Sequence, residues 1–150
     1  MTENNWSEAV AAAAEIDAPA EDENYLRIGE MAKQFGVTLR ALRFYEDKGL
    51  LSPRREGATR LYSRRDRARL KLILLGRKVG FSLRDVKQMI DLYDPNGTNV
   101  RQLKTTLDKS EKQLVRLNKQ RDAIEEAIRD LSETIAYVRR ALAERQASVQ

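Results

Sequence analysis

Between Val100 and Arg145 the chain has no glycine or proline, and apolar residues return alternately every third and fourth position. Written as heptads, one series runs Val100, Leu107, Leu114, Arg121, Ile128, Ile135, Leu142; the other runs Leu103, Ser110, Leu117, Ile124, Leu131, Val138, Arg145. Eleven of these fourteen positions are apolar, the periodicity of a long helix with one apolar seam. At 1.5 Å per residue it would extend roughly 69 Å. What precedes it is too short to cover such a stripe, and each Leu or Ile left in water forgoes about 1.5–3 kcal/mol of burial. Pairing with another chain is the economical solution, so the seam predicts a homodimer, with a bundle formed with a different protein as the alternative. Periodicity does not distinguish parallel from antiparallel pairing. The expected interface comprises Val100, Leu103, Leu107, Leu114, Leu117, Arg121, Ile124, Ile128, Leu131, Ile135, Val138 and Leu142. Arg121 is a charge within that seam; it needs Glu125, Glu126 or an acid of the partner, and it would help to fix register.

Upstream, the pattern is that of a small helical head. Ile28, Met31, Ala32 and Phe35 share a helical face, Gly36 suits a helix end, and Thr38 can cap a second helix in which Leu39 and Leu42 point inward and Arg40 and Arg43 outward. Two short helices joined by a tight glycine-containing turn form a helix-turn-helix pattern. Residues 50–62 read as a hairpin, or wing, with Pro53 on an edge, a turn at Glu56-Gly57-Ala58, and Arg60 and Tyr62 on one face. Ser63 to Asp66 is a capping box opening a third helix, and Ser82 to Asp85 repeats the device for a fourth, with Leu83, Val86, Ile90 and Tyr93 inward. Asp94-Pro95-Asn96-Gly97 marks a turn, after which Asn99, with Gln102 three residues on, can cap the last helix. The expected layout is a tail over 1–24, a winged head over 25–93, a turn over 94–98, the long helix over 99–146 and a frayed end over 147–150.

Charge divides the chain. Residues 1–24 hold seven acids and no Lys or Arg, which leaves +12 for the remainder, and residues 38–80 alone carry thirteen basic residues against four acids. A polyanion would relieve that repulsion. The acidic, Ala-rich tail has almost no large apolar residues and reads as disordered, with a transient helix around Trp6–Ile16. There is no Cys and no His, which removes thiolate and imidazole metal sites, Cys nucleophiles and disulfides. No nucleophile–base pair, phosphate loop or metal-ligand cluster suggests an enzyme, and no cofactor is expected. Without a spanning apolar run or a signal pattern, a cytoplasmic protein with no membrane partner is expected.

The stretch Leu26-Arg27-Ile28-Gly29-Glu30-Met31-Ala32, then Gly36-Val37-Thr38, then Arg40-Ala41-Leu42-Arg43-Phe44-Tyr45-Glu46-Asp47-Lys48-Gly49-Leu50-Leu51, closely resembles the head of MerR-family regulators. So does the wing Pro53-Arg54-Arg55 through Arg60-Leu61-Tyr62. The resemblance implies a mainly α fold: a winged helix-turn-helix head and a dimerisation helix that pairs as an antiparallel coiled coil. It further implies binding to a pseudo-palindromic promoter with an overlong spacer, which the dimer bends and untwists so that RNA polymerase engages both promoter elements, in a bacterial, nucleoid-associated setting.

On this expectation Thr38, Arg40, Arg43, Phe44 and Tyr45 form the recognition helix's DNA face. Arginine can address guanine O6 and N7, or two phosphate oxygens, bidentately. Tyr45 either approaches the DNA backbone or a base edge, or fills the space between helix and wing, and Phe44 either meets a thymine methyl or packs internally. Arg54, Arg55, Arg60 and Tyr62 would grip phosphates from the wing, with Arg64 and Arg65 of the third helix as further candidates. Family sensors of metals and redox state use cysteines near the coil's end, and this chain has none. With no separate effector domain expected after the coil, a small-molecule effector, a protein partner, or no effector remain. Two rivals share the winged head: an excisionase-like DNA-architectural protein, against which the heptad argues, and a co-chaperone modulator, which has little use for so many outward arginines.

Overall fold

The structure, a computed structural model, describes residues 5–14, 24–94 and 96–149. It is mainly helical: α1 (Trp6–Ala14), β1 (Leu26–Arg27), α2 (Ile28–Phe35), α3 (Leu39–Asp47), β2 (Arg54–Glu56), β3 (Thr59–Tyr62), α4 (Arg64–Lys78), α5 (Leu83–Asp91) and α6 (Val100–Ser148). The chain divides into two compact units, one running through Lys109 and the other from Ser110 onward.

In the first unit, the turn between α2 and α3 is made by Gly36 at φ 64°, a left-handed conformation that favours glycine. Thr38 Oγ1 then accepts the Ala41 N–H at 3.0 Å and caps α3 as its spacing predicts. The hairpin pairs Arg54 with Leu61, Arg55 with Arg60 and Glu56 with Thr59. A short third strand, unforeseen in the sequence, pairs Leu26 with Tyr62 and Arg27 with Leu61, giving the order β1-β3-β2. Two adjacent residues carry no legible period, which is why β1 escapes a pattern search. Met31, Leu42, Leu50, Leu51, Tyr62, Leu70, Ile73, Val86 and Met89 form a core with at most 1% exposure each.

Three expectations are corrected. Leu39, expected inward, is 41% exposed, because it begins α3 and the buried face runs through Ala41, Leu42 and Tyr45. Asn99 does not cap α6. At φ 58° its side chain turns back on the preceding turn, accepting the Asp94 N–H at 2.8 Å and donating to the carbonyls of Asp94 and Gly97. The third concerns the tail expected to be disordered. Trp6–Ala14 is a helix packed on α4 and the core. Trp6 and Val10 are buried, the indole N–H donates to the Leu72 carbonyl at 3.0 Å, and the ring meets Phe81 edge-on at 6.4 Å. Composition averaged over the tail hid an i, i+4, i+7 stripe of Trp6, Val10 and Ala13. The rest of that expectation, residues 1–4 and 15–23, lies outside the described residues, as does Pro95 of the turn.

The first unit also reaches further than Tyr93, where the sequence closes the head. Gln102 is buried at the start of α6; its amide donates to the Met89 carbonyl and to Thr106 Oγ1, both at 3.1 Å. Lys109 Nζ donates to Asp85 Oδ1 at 2.8 Å. These bonds join α5 to the opening turns of α6. The second unit is the remainder of α6. Every apolar residue of the seam is exposed in the single chain, from Leu117 at 38% to Leu131 at 62%. Arg121 lies 4.0 Å from Glu125, one of the acids expected for it, and nearer, at 3.4 Å, to Asp122, which was not among them. No helix of the described residues is long and apolar enough to cross a membrane.

Candidate nucleic-acid interface

The helix-turn-helix fixes which way α3 faces. Leu42 is fully buried and Tyr45 6% exposed on its inner side, so Arg40, Arg43 and Phe44 stand outward. Neither Arg40 nor Arg43 is held by an ion pair among the described residues. Phe44 is exposed and lies under Lys48, whose Nζ sits 5.4 Å from the ring centre. Internal packing is thereby removed as its role. For Tyr45 the structure takes the core alternative. Thr38 is exposed but its hydroxyl is committed to the cap.

In the wing, Arg54 and Arg55 are exposed and Arg60 half-buried. Arg54 lies 3.9 Å from Glu56 and over the Tyr25 ring at 6.0 Å. Arg55 and Arg60 converge on one carboxylate of α3. Arg60 Nε donates to Glu46 Oε2 at 2.7 Å and Arg55 Nη2 to Glu46 Oε1 at 2.8 Å. The side chains of Glu46 and Arg60 are only 19% and 21% exposed, and that of Arg55 49%. Burial opposes ionisation of Glu46, yet the hydrogen bonds and charges of Arg55 and Arg60 outweigh it and hold the carboxyl below its usual range. The Glu46 hydrogen bond correspondingly raises Arg60.

Tyr62 does not grip phosphates. It shares a strand face with Arg60, and that face runs from Glu46 down into the core, so Tyr62 is fully buried. Its hydroxyl has no hydrogen-bond partner among the described residues, and burial, seconded by the charge of Glu46, raises its pKa.

Arg64 and Arg65 are exposed at the start of α4. The next two arginines of that helix are spent on structure: Arg67 donates to the Asn24 carbonyl, and Arg69 donates to the Leu50 carbonyl at 2.8 Å and lies 3.5 Å from Asp91. Asp66, 3% exposed, anchors the wing's base by accepting the Ser52 and Ser63 N–H groups at 3.0 and 3.1 Å. The resulting surface has outward guanidinium groups on a capped helix, beside a hairpin in which Arg55 and Arg60 are tied back to that same helix. Such a surface can read base edges and clamp phosphates.

Sequence reasoning missed Glu46. The available signal was an acid placed one turn beyond Leu42, on the side of α3 that faces the hairpin.

The family model described as "MerR HTH family regulatory protein" matches residues 26–93, and that described as "MerR, DNA binding" matches residues 67–141. The HTH-type transcriptional regulator CueR of Salmonella typhi is 37% identical over 87 residues, 56% of this chain and 63% of that protein. The HTH-type transcriptional regulator ZntR of Escherichia coli (strain K12) is 40% identical over 72 residues, 46% of this chain and 51% of that protein. The matched region therefore spans less than two thirds of these relatives. A MerR-family transcriptional regulator from Bacillus cereus superposes with a TM-score of 0.60 at 28% identity, covering 73% of this chain and 79% of that one. The fold is also that of HiNmlR, a MerR family regulator lacking the sensor domain and bound to promoter DNA, with a TM-score of 0.59 at 23% identity over 80% of this chain and 94% of that one.

Proposed function

The chain belongs to the MerR family, and from that premise we propose that it is a transcriptional regulator that binds a pseudo-palindromic promoter site as a homodimer and distorts it. The observation that carries this reading is the pair Arg40 and Arg43, exposed and without an ion pair among the described residues on the capped helix α3, together with the wing guanidinium groups of Arg55 and Arg60. Recognition helices enter the major groove by their N-terminal half, where an arginine can take guanine O6 and N7 together. The wing arginines, with Arg64 and Arg65 beside them, contribute phosphate contacts, which set register without reading sequence. Bending a site of ordinary length costs on the order of 1–6 kcal/mol, and those contacts offset it.

The exposed seam of α6 supports the dimer. Its Leu, Ile and Val residues are left exposed by the described residues of one chain, and an antiparallel coiled coil would bury them. Two heads on one twofold axis then address two half-sites, separated by one turn of duplex or a multiple of it. The named relatives, transcriptional regulators and one of them bound to promoter DNA, support the same reading. RNA polymerase is the partner that would use the distorted promoter, and a small-molecule effector would set the balance between distorted and undistorted states. Sequencing the DNA that co-purifies with the full chain tests the proposal: inverted half-sites at fixed spacing are expected, and unrelated fragments would contradict it.

A further inference from the structure

Among thirteen basic residues between 38 and 80 there are four acids, and one of them sits between the two elements that would hold DNA. Glu46 is on α3, and both of its oxygens are taken by wing arginines. An acid there is electrostatically unfavourable toward a phosphate backbone, since its negative charge offsets part of the face's positive one. Its retention beside DNA calls for a compensating role, and the donor pattern supplies one. A guanidinium has five N–H donors in a rigid planar fork. Glu46 takes Nε of Arg60, which leaves the Nη1/Nη2 end of that fork open. It takes Nη2 of Arg55, which leaves Nε and Nη1. Each group is thus fixed in orientation by one bond and keeps donors for a second anion. Arg40 and Arg43 have no such anchor among the described residues.

Resting on the DNA-binding reading above, we propose that Glu46 is a positioning residue: its carboxylate presents Arg55 and Arg60 as a preoriented pair to the phosphates of duplex DNA. The half-buried Glu46–Arg60 bond holds the wing in register with α3, so the phosphate grip and the base-reading helix move as one piece. Ordering two long side chains before DNA arrives removes a cost otherwise met on binding, on the scale of severalfold in affinity for each side chain.

The sign of one substitution decides this. On electrostatics alone, Glu46→Gln removes a negative charge and tightens binding. As a positioning residue its loss weakens binding. The full-length protein is titrated with a random-sequence duplex across a range of salt, alongside Asp47→Asn as a matched charge change one residue away. Glu46→Gln should bind about tenfold more weakly with a shallower salt dependence, whereas Asp47→Asn should bind as tightly as wild type or more so. In an Arg55→Ala/Arg60→Ala background, Glu46→Gln should cost nothing further, because its effect acts through those two groups. Melting is followed in parallel. If Glu46→Gln does not fold, Arg60→Lys, which keeps the charge and removes the Nε donor, should show the same weakening. Tighter, more salt-sensitive binding by Glu46→Gln, or unchanged binding by Arg60→Lys, would overturn the proposal while leaving the DNA-binding reading intact. Wild-type protein that ignores the duplex would sink both.

Discussion

In the proposed function Arg40 and Arg43 read bases, and they would do so from an unanchored start: both are exposed and neither is tied to an acid among the described residues. Their value therefore has to come from contacts made on DNA. Arg43→Ala should weaken binding to the recovered promoter site by roughly 1–3 kcal/mol and relax preference at one base position. A quantitative titration against single-base variants of that site checks this, and a uniform loss across all of them would assign Arg43 to the backbone instead. The outward face of α3 was legible because helical spacing alone separates Arg40 and Arg43 from Leu42. Tyr62 was not. Strand alternation correctly grouped it with Arg60, but alternation names a face and does not say where along it solvent ends. The core closes over Tyr62 and leaves its hydroxyl unpartnered among the described residues. Removing a buried donor that has no partner costs no hydrogen bond and relieves its desolvation. Tyr62→Phe should therefore melt at the same temperature as wild type or higher by thermal unfolding, whereas a clear drop would mean that the hydroxyl has a partner.

At the scale of elements, α1 is the part of the fold that composition concealed. A nine-residue helix is too short to be stable alone, so its existence depends on what it packs against. Its seat lies against Gly76 of α4. A Cβ there would lie 2.7 Å from Val86 Cγ2 and 3.4 Å from the Trp6 indole nitrogen, and Val86 is itself fully buried. Gly76→Ala should thus destabilise the head by about 1–3 kcal/mol, as overpacking of a close contact does. Trp6 is the chain's single tryptophan, so its emission reports the displacement directly. A red shift is expected, and unchanged emission with unchanged melting would show that α1 does not depend on this notch. The opposite end of the head shows the complementary limit of sequence reading. Asn99 and Gln102 have the residue types and spacing of a cap, but the structure spends Asn99 on the turn before it and Gln102 on the Met89 carbonyl. Both uses depend on which chain segments lie nearby, and spacing along one segment cannot encode that.

For the molecule as a whole, the heptad was the most legible feature because it repeats, and repetition averages out local exceptions such as Ser110 and Arg121. What it leaves exposed is a continuous apolar seam, with Leu131 62% accessible. Leu131→Asp places a charge in that seam without touching the head's core. Sedimentation should show a shift toward monomer, while the head keeps its unfolding transition; an unshifted dimer would relocate the interface. The central claim is that two such chains present their α3 arginines together to one duplex. Sedimentation velocity of the full chain with a labelled duplex carrying the recovered site tests it most directly. Two chains per duplex, with affinity falling steeply as salt rises, is the predicted result. One chain per duplex, or an affinity indifferent to salt, would contradict it.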